Sequence, residues 1–418
     1  MADAPDLSMS KEDQTRLGLV AGTAFSPGAP VRHADVFAGR KAQIRRVIDA
    51  ISQHGKSVLI YGERGVGKTS LANVIDEIYL SIAKARVFVP HIACDSEDTF
   101  HQIWTKVIAE KDRTHSTARL PENASAAIDA IVDSAAGAIT PHHVKLIADE
   151  VTRTHLMIPI IDEFDRIKDP YAIALFTDTV KYLSDHTQNT TLIIVGVGDT
   201  IDDLIKEHQS VERALEQVLM PRMSAQESRE ILTQGEAATR VRFSENAARL
   251  IVSLAQGLPH YTHVLGLNST RVAIDAASWT VRDEHVEEAT TAAIEGSLQS
   301  LKRAHHTATT SPRADNLFRQ VLLACALART DDLGYFAAAD VRDPLTRIMG
   351  KPYDIPNYSQ HLKLFCEPER GAMLQRTGPK NRTRFRFSNP LIQPFIVMMG
   401  LRDGNITKDD VLRTASAN

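Results

Sequence analysis

Cysteine is scarce in this sequence. There are three in 418 residues, Cys94, Cys325 and Cys366, far apart and without metal-ligand spacing. A disulfide framework is therefore excluded as the source of stability, which fits a reducing compartment. No apolar run approaches the ~20 residues that a membrane-spanning helix needs. The first residues (MADAPDLSMSKEDQTRLG) lack a basic segment followed by an apolar one, so no secretory leader is expected. On these grounds the chain reads as cytoplasmic, with no membrane partner. An excess of one charge sign is missing too: the formal net charge of −4 gives no global attraction to nucleic acid. Internal repeats and low-complexity tracts are absent.

What is present is an ordinary globular composition, 43% apolar and 24% charged, in a chain long enough for two to four domains at ~100–200 residues each. Residues 1–30 are small and polar, with Pro27 and Pro30 near their end, and read as a flexible N-terminal arm. Ile44, Val47, Ile48 and Ile51 recur at helical spacing, and so do Leu71, Val74, Ile75 and Ile78. Between these stripes, residues 57–61 read as a short buried strand. Residues 87–93, 156–161 and 191–195 read as three more, and Pro90 places the first of them at an edge or a bulge. Strands alternating with helices predict an α/β core over 31–222, a parallel sheet covered by helices on both faces. The strand signals stop near residue 220. Residues 223–308 then read as a helical lid, with a helix stop at Gly257-Leu-Pro259. A mixed domain follows over 313–402, and a tail over 403–418.

The sharpest motif is Gly62-Glu63-Arg64-Gly65-Val66-Gly67-Lys68-Thr69, with Ser70 after it. It matches the phosphate-loop pattern between a predicted strand and a predicted helix, the context that gives the pattern meaning. Glycines let the backbone wrap a phosphate so that several N–H groups point inward, and the helix N-terminus adds positive potential. Lys68 would reach the β- and γ-phosphates, and the Thr69 hydroxyl would coordinate Mg²⁺.

A second acidic site closes the strand at Ile160-Ile161-Asp162-Glu163. Such a strand is expected beside the phosphate-loop strand, with Asp162 holding Mg²⁺ and Glu163 polarising the attacking water. The competing reading is a surface acidic turn shared with Asp165. A guanine-selecting Asn-Lys-x-Asp segment is lacking, which favours ATP over GTP.

Together these residues resemble AAA+ ATPases of the origin-recognition type and the related STAND signalling ATPases, over most of 35–300. Phe37-Ala-Gly39-Arg40 is similar to the segment that packs near the adenine in that family. The resemblance implies a sensor-1 residue at Asp199 or Thr200 and an arginine finger at Arg213, reaching the γ-phosphate of a neighbouring copy in a homo-oligomer. The competing reading of Arg213 is a surface or ion-paired arginine. Gly257-Leu-Pro259-His260 has the Gly-x-Pro form of the STAND lid, in which Pro259 would touch nucleotide. His260 stands where origin-recognition proteins carry the sensor-2 arginine.

The order of helices and ribbon in the last domain resembles a winged helix. Arg382, Arg384 and Arg386 alternate with Thr383, Phe385 and Phe387, so a strand would gather the arginines on one face. That face suits phosphate contact with DNA, or else it is a solvated hairpin in a domain that contacts a protein partner. Sequence reasoning thus expects a nucleotide-dependent oligomeric switch that binds and hydrolyses ATP. A DNA-remodelling ATPase is the alternative.

Overall fold

The computed structural model describes residues 9–30, 37–82, 86–112, 120–187, 189–198, 211–312, 316–379 and 382–416. The chain forms two bodies. One comprises residues 30–63 and 67–221; the other comprises 222–418 with residues up to 29 and 64–66.

After a first helix, α1 (Lys11–Ala24), which belongs to the second body, the first body runs α2 (Lys41–Ile51), β1 (Ser57–Gly62), α3 (Lys68–Ile82), β2 (Val87–Phe88), β3 (His91–Ala93), α4 (Phe100–Ala109), α5 (Glu122–Ser134), α6 (Pro141–Thr152), β4 (Leu156–Met157), β5 (Ile160–Asp162), α7 (Pro170–His186), β6 (Ile193–Val197) and β7 (Leu215–Leu219). Five of these strands form a parallel sheet in the order β3-β5-β6-β1-β7. The expected core is therefore present, with its interior strands apolar on both faces: Val58, Leu59, Ile60, Ile193, Ile194 and Val195 are fully buried. One sheet face, with Leu59, Ile161 and Ile194, packs on an aromatic cluster of Phe100, Trp104, Phe164 and Phe176.

Three expectations for this body need correction. The acidic strand β5 does not lie beside β1; β6 stands between them, pairing Ile193 with Val58 and Ile194 with Ile161. A central place requires a strand that is apolar on both faces, and β6 supplies one. The strands expected over 87–93 and 156–161 are each split in two. Pro90 and Pro159 have no N–H to donate, but their carbonyls accept from Ile160 N (2.8 Å) and Ile193 N (2.8 Å), so the ladder survives each break. The sheet also has a fifth strand that was not among the four expected. Polar Glu216 and Gln217 disguise β7, an outer strand beside β1: Arg46 binds the Glu216 carboxylate at 2.6 Å and the Gln217 backbone carbonyl at 2.5 Å.

The second body runs α8 (Ala225–Thr239), β8 (Arg242–Phe243), α9 (Glu245–Ala255), α10 (Pro259–Asp275), β9 (Thr280–Val281), α11 (Asp283–Glu295), α12 (Gln299–Thr309), α13 (Phe318–Ala326), β10 (Phe336–Ala337), α14 (Arg342–Met349), α15 (Ile355–Leu364), β11 (Leu374–Thr377), β12 (Arg384–Phe387), α16 (Ile392–Arg402) and α17 (Lys408–Ser416). The expected all-α lid carries a small parallel strand pair, β8 with β9. From α13 to β12 the order helix, strand, helix, helix, strand, strand is that of a winged helix, and β10-β12-β11 is its sheet.

The expected flexible arm is corrected as well. Residues 11–24 are helical because the Ser10 hydroxyl accepts from Asp13 N (3.1 Å) at the N-cap and Leu17 and Ala21 bury one face. The helix lies on α8 and α10. Just beyond it Phe25 fills a socket that two glycines open: a Cβ on Gly235 or Gly266 would stand 2.1 or 2.5 Å from its ring. In the tail, α17 packs on α9, and Lys408 pairs with Glu287 of α11. No helix among the described residues is long and apolar enough to cross a membrane.

Candidate nucleotide-binding site

The phosphate-loop sequence closes β1 and opens α3, at the carboxyl end of a parallel strand where α/β sheets place their ligands. Its turn needs glycine at specific points. Gly62 (φ 145°), Gly65 (φ 86°) and Gly67 (φ 96°) all have positive φ, and a Cβ on Gly62 would lie 2.5 Å from the Met220 carbonyl oxygen. Glu63 and Val66 are buried, and Arg64 is exposed at the tip. Lys68 is buried on the loop's concave side. Its ammonium donates to the Gly62 and Glu63 carbonyls at 3.1 and 2.9 Å. Thr69 and Ser70, half-buried, occupy the first turn of α3.

The Thr69 hydroxyl reaches the carboxylate of Asp162 at the end of β5. The strand between β1 and β5 thus does not part the two motifs. Asp162 shares a sheet face with Ile160, opposite the face of Ile161 that packs on the aromatic cluster. Asp162 Oδ1 accepts from Glu163 N at 2.7 Å, and His91 Nε2 stands 3.7 Å from Oδ2, a contact longer than a full hydrogen bond. Burial pushes the Asp162 carboxyl up, but His91, the Glu163 amide and Thr69 outweigh it and hold the group below its ordinary range. On α3, burial raises Asp76 to about 6, with His91 acting against the rise and Glu77 adding to it.

Glu163 follows in the left-handed region (φ 54°), a conformation that costs a non-glycine residue about 1 kcal/mol or more. Its half-exposed carboxylate is held by Arg166 at 2.6 Å. Asp165, expected on a surface turn, braces this corner of the sheet. Its Oδ1 accepts from Val197 N at 2.7 Å, which ties the corner to the end of β6. Asp199 and Thr200, which follow β6, lie outside the described residues, as do residues 207–210.

The remaining expected residues are placed as follows. Phe37 is half-buried. Arg40 is buried at the N-terminus of α2 and donates to the Pro221 carbonyl at 2.6 Å, anchoring the end of the core. Arg213 is exposed in the turn before β7, where Lys56 donates to its carbonyl at 2.6 Å. Pro259 is the first residue of α10. Gly257 (φ 73°) precedes it because a Cβ there would lie 2.8 Å from Met223 O. The ring of His260 meets the Pro27 carbonyl at 2.9 Å, and burial lowers its pKa. Neither it nor His263 belongs to a metal-binding group among the described residues. Tyr261 donates to Leu391 O at 2.6 Å, and Arg222 to Gln393 at 2.8 Å, so within the second body the lid is bound to the C-terminal domain.

In the wing, Phe385 and Phe387 are buried while Arg382 and Arg384 are exposed and Arg386 is half-buried, the alternation expected. Two of the arginines are already engaged. Arg384 pairs with Asp331 at 2.7 Å, and Arg386 bonds Gln375 and lies 4.7 Å over the Tyr335 ring.

Sequence reasoning missed His91 and Asp76. His91 lies in an expected strand, but only the register with β5 brings it to Asp162. Asp76 was readable as the third polar residue, after Thr69 and Asn73, on one face of α3.

A family model described as "Novel STAND NTPase 1" matches residues 27–334. No curated protein matches the sequence. Among solved structures, the Walker-type ATPase of Pyrococcus abyssi is similar at 16% identity, covering 88% of this chain and 98% of that one, with a TM-score of 0.49. Cdc6p of Pyrobaculum aerophilum is similar at 14% identity over 91% and 99%, with a TM-score of 0.45. The Aeropyrum pernix ORC2 protein, solved with ADPNP and ADP, is similar at 15% over 90% and 93%, with a TM-score of 0.44.

Proposed function

The chain belongs to the novel STAND NTPase 1 family, and from that premise we propose that it binds ATP with Mg²⁺ in the loop of residues 62–69, hydrolyses it, and acts as a nucleotide-dependent switch between copies of itself. The observation that carries this reading is the loop with its partner strand: three glycines at positive φ, a buried Lys68 on carbonyls that a phosphate can replace, and Thr69 against Asp162.

Each residue has a part that its surroundings allow. The loop amides and Lys68 bind and orient the triphosphate. Thr69 and Asp162 offer oxygen donors, the ligand type that a hard cation takes, and so fit Mg²⁺. Bound Mg²⁺ supplies charge neutralisation between the phosphate oxygens. Glu163 accepts the proton of the attacking water, and Arg166 fixes the carboxylate that does so. Arg213, exposed before an edge strand, suits insertion beside the γ-phosphate of a neighbouring copy.

Glu163→Gln tests this assignment. It should keep ATP affinity and lower turnover by about two orders of magnitude or more, measured as phosphate release beside equilibrium binding. Arg213→Ala should slow turnover only at protein concentrations where copies associate. Unchanged turnover in Glu163→Gln would remove the base. Duplex DNA on the wing is the second reading, favoured by the exposed Arg376 and Arg382 and weakened by the internal partners of Arg384 and Arg386.

A further inference from the structure

The pairing of β3 with β5 sets Ala93 opposite Asp162. His91, two residues earlier, therefore shares that sheet face with Asp162. Its Nε2 stands 3.7 Å from Asp162 Oδ2, while Oδ1 is taken by the Glu163 amide at 2.7 Å. The His91 side chain is itself largely enclosed, and Asp76 on α3 contributes a carboxyl to its surroundings.

We propose that His91 is a positioning residue that fixes the Asp162 carboxylate for the magnesium–nucleotide complex. The inference rests on the nucleotide reading above and adds to it a residue outside both motifs. The torsion that turns a carboxylate about its own axis is broad, so the partners around it decide its orientation, here the Glu163 amide, the Thr69 hydroxyl and His91. The Glu163 amide holds one oxygen. The imidazole borders the other from the neighbouring strand. Outer partners of this kind orient the groups that a metal uses, and removing them costs about ten- to a hundredfold in metal affinity. His91 touches neither phosphate nor water in this scheme; it acts through Asp162.

The test is a magnesium titration of nucleotide affinity in the full chain, with a fluorescent ATP analogue as the probe, for wild type, His91→Ala and His91→Gln. Affinity in EDTA reports the loop alone and should be equal in all three. The magnesium concentration for half-maximal enhancement should rise about tenfold in His91→Ala and return toward wild type in His91→Gln, which keeps a donor. An unchanged magnesium dependence in His91→Ala overturns the proposal, and so does an equal loss of affinity in EDTA, which marks a merely structural role. If His91→Ala does not fold, His91→Leu, which refills the volume without a donor, decides on the same terms. A wild type that binds no nucleotide with or without magnesium removes the functional reading and this inference with it, a result distinct from magnesium-dependent binding that ignores His91.

Discussion

His263 is the residue where local environment turns most directly into a measurable property. It lies on α10, closed in by Phe25 at 6.3 Å and by the Ser26 amide, whose contact with Nδ1 is 3.4 Å. Burial, with the neighbouring His260 adding to it, lowers its pKa to about 4. An unfolded histidine titrates near 6.5. As pH falls below ~6.5 the unfolded chain therefore takes up a proton that the native site refuses, and stability drops until the native site itself titrates near 4. His305, half-buried, is also lowered to about 4, by desolvation first and then by Arg319, and works in the same direction. Urea midpoints measured from pH 7.5 to 5 should thus decline, and His263→Gln should flatten part of the decline. Parallel curves for wild type and variant would show that the ring is not the proton-excluding group. At the nucleotide loop the same scale of argument applies to Gly62. Alanine there meets the Met220 carbonyl at 2.5 Å, which makes the glycine a structural requirement as well as a binding one.

Among the elements, α1 and the residue that follows it change the picture of the chain most. Phe25 is fully buried against Gly235 and Gly266 and meets Phe243 edge-on at 6.5 Å. Truncation to alanine opens a cavity that two helices cannot fill, at a cost of about 3–5 kcal/mol. Calorimetry should show a lower melting temperature for Phe25→Ala, with nucleotide binding intact; an unchanged melting temperature would mean that the socket is not part of the stable structure. The signals for α1 were present in the sequence, a serine cap at Ser10 with Asp13 at the third position and Leu17, Ala21 and Phe25 four residues apart, yet the polar composition of the segment masked them. The apolar strands β1 and β6 were legible because a strand buried on both faces has few other ways to be written. Strand β7 was not, because Glu216 and Gln217 make it polar, the Glu216 carboxylate serving Arg46. Both motifs of the site were legible, since phosphate and metal chemistry dictate residue type at fixed spacing. His91 was not, because it arrives through sheet register, and register is not local in sequence.

For the whole molecule, two bodies and a family of NTPases frame two questions: what the C-terminal domain touches and what the core binds. On the wing, Arg376 and Arg382 face solvent, whereas Asp331 neutralises Arg384. If duplex DNA is a partner, its affinity at low salt should fall on replacing Arg376 and Arg382 with alanine, and the salt dependence should flatten by roughly 0.9 log units per lost phosphate contact. No binding at low salt would leave protein contact as the domain's use. The core question comes first, because every role given to Asp162, Glu163, His91 and Arg213 presupposes a triphosphate beside Lys68. Equilibrium binding of labelled ATP with magnesium, on wild type and on Lys68→Ala, addresses it most directly. Saturable binding of about one nucleotide per chain, weakened a hundredfold or more when the ammonium that ties the loop is removed, is the expected result; equal retention by the two proteins, or none by wild type, would contradict it.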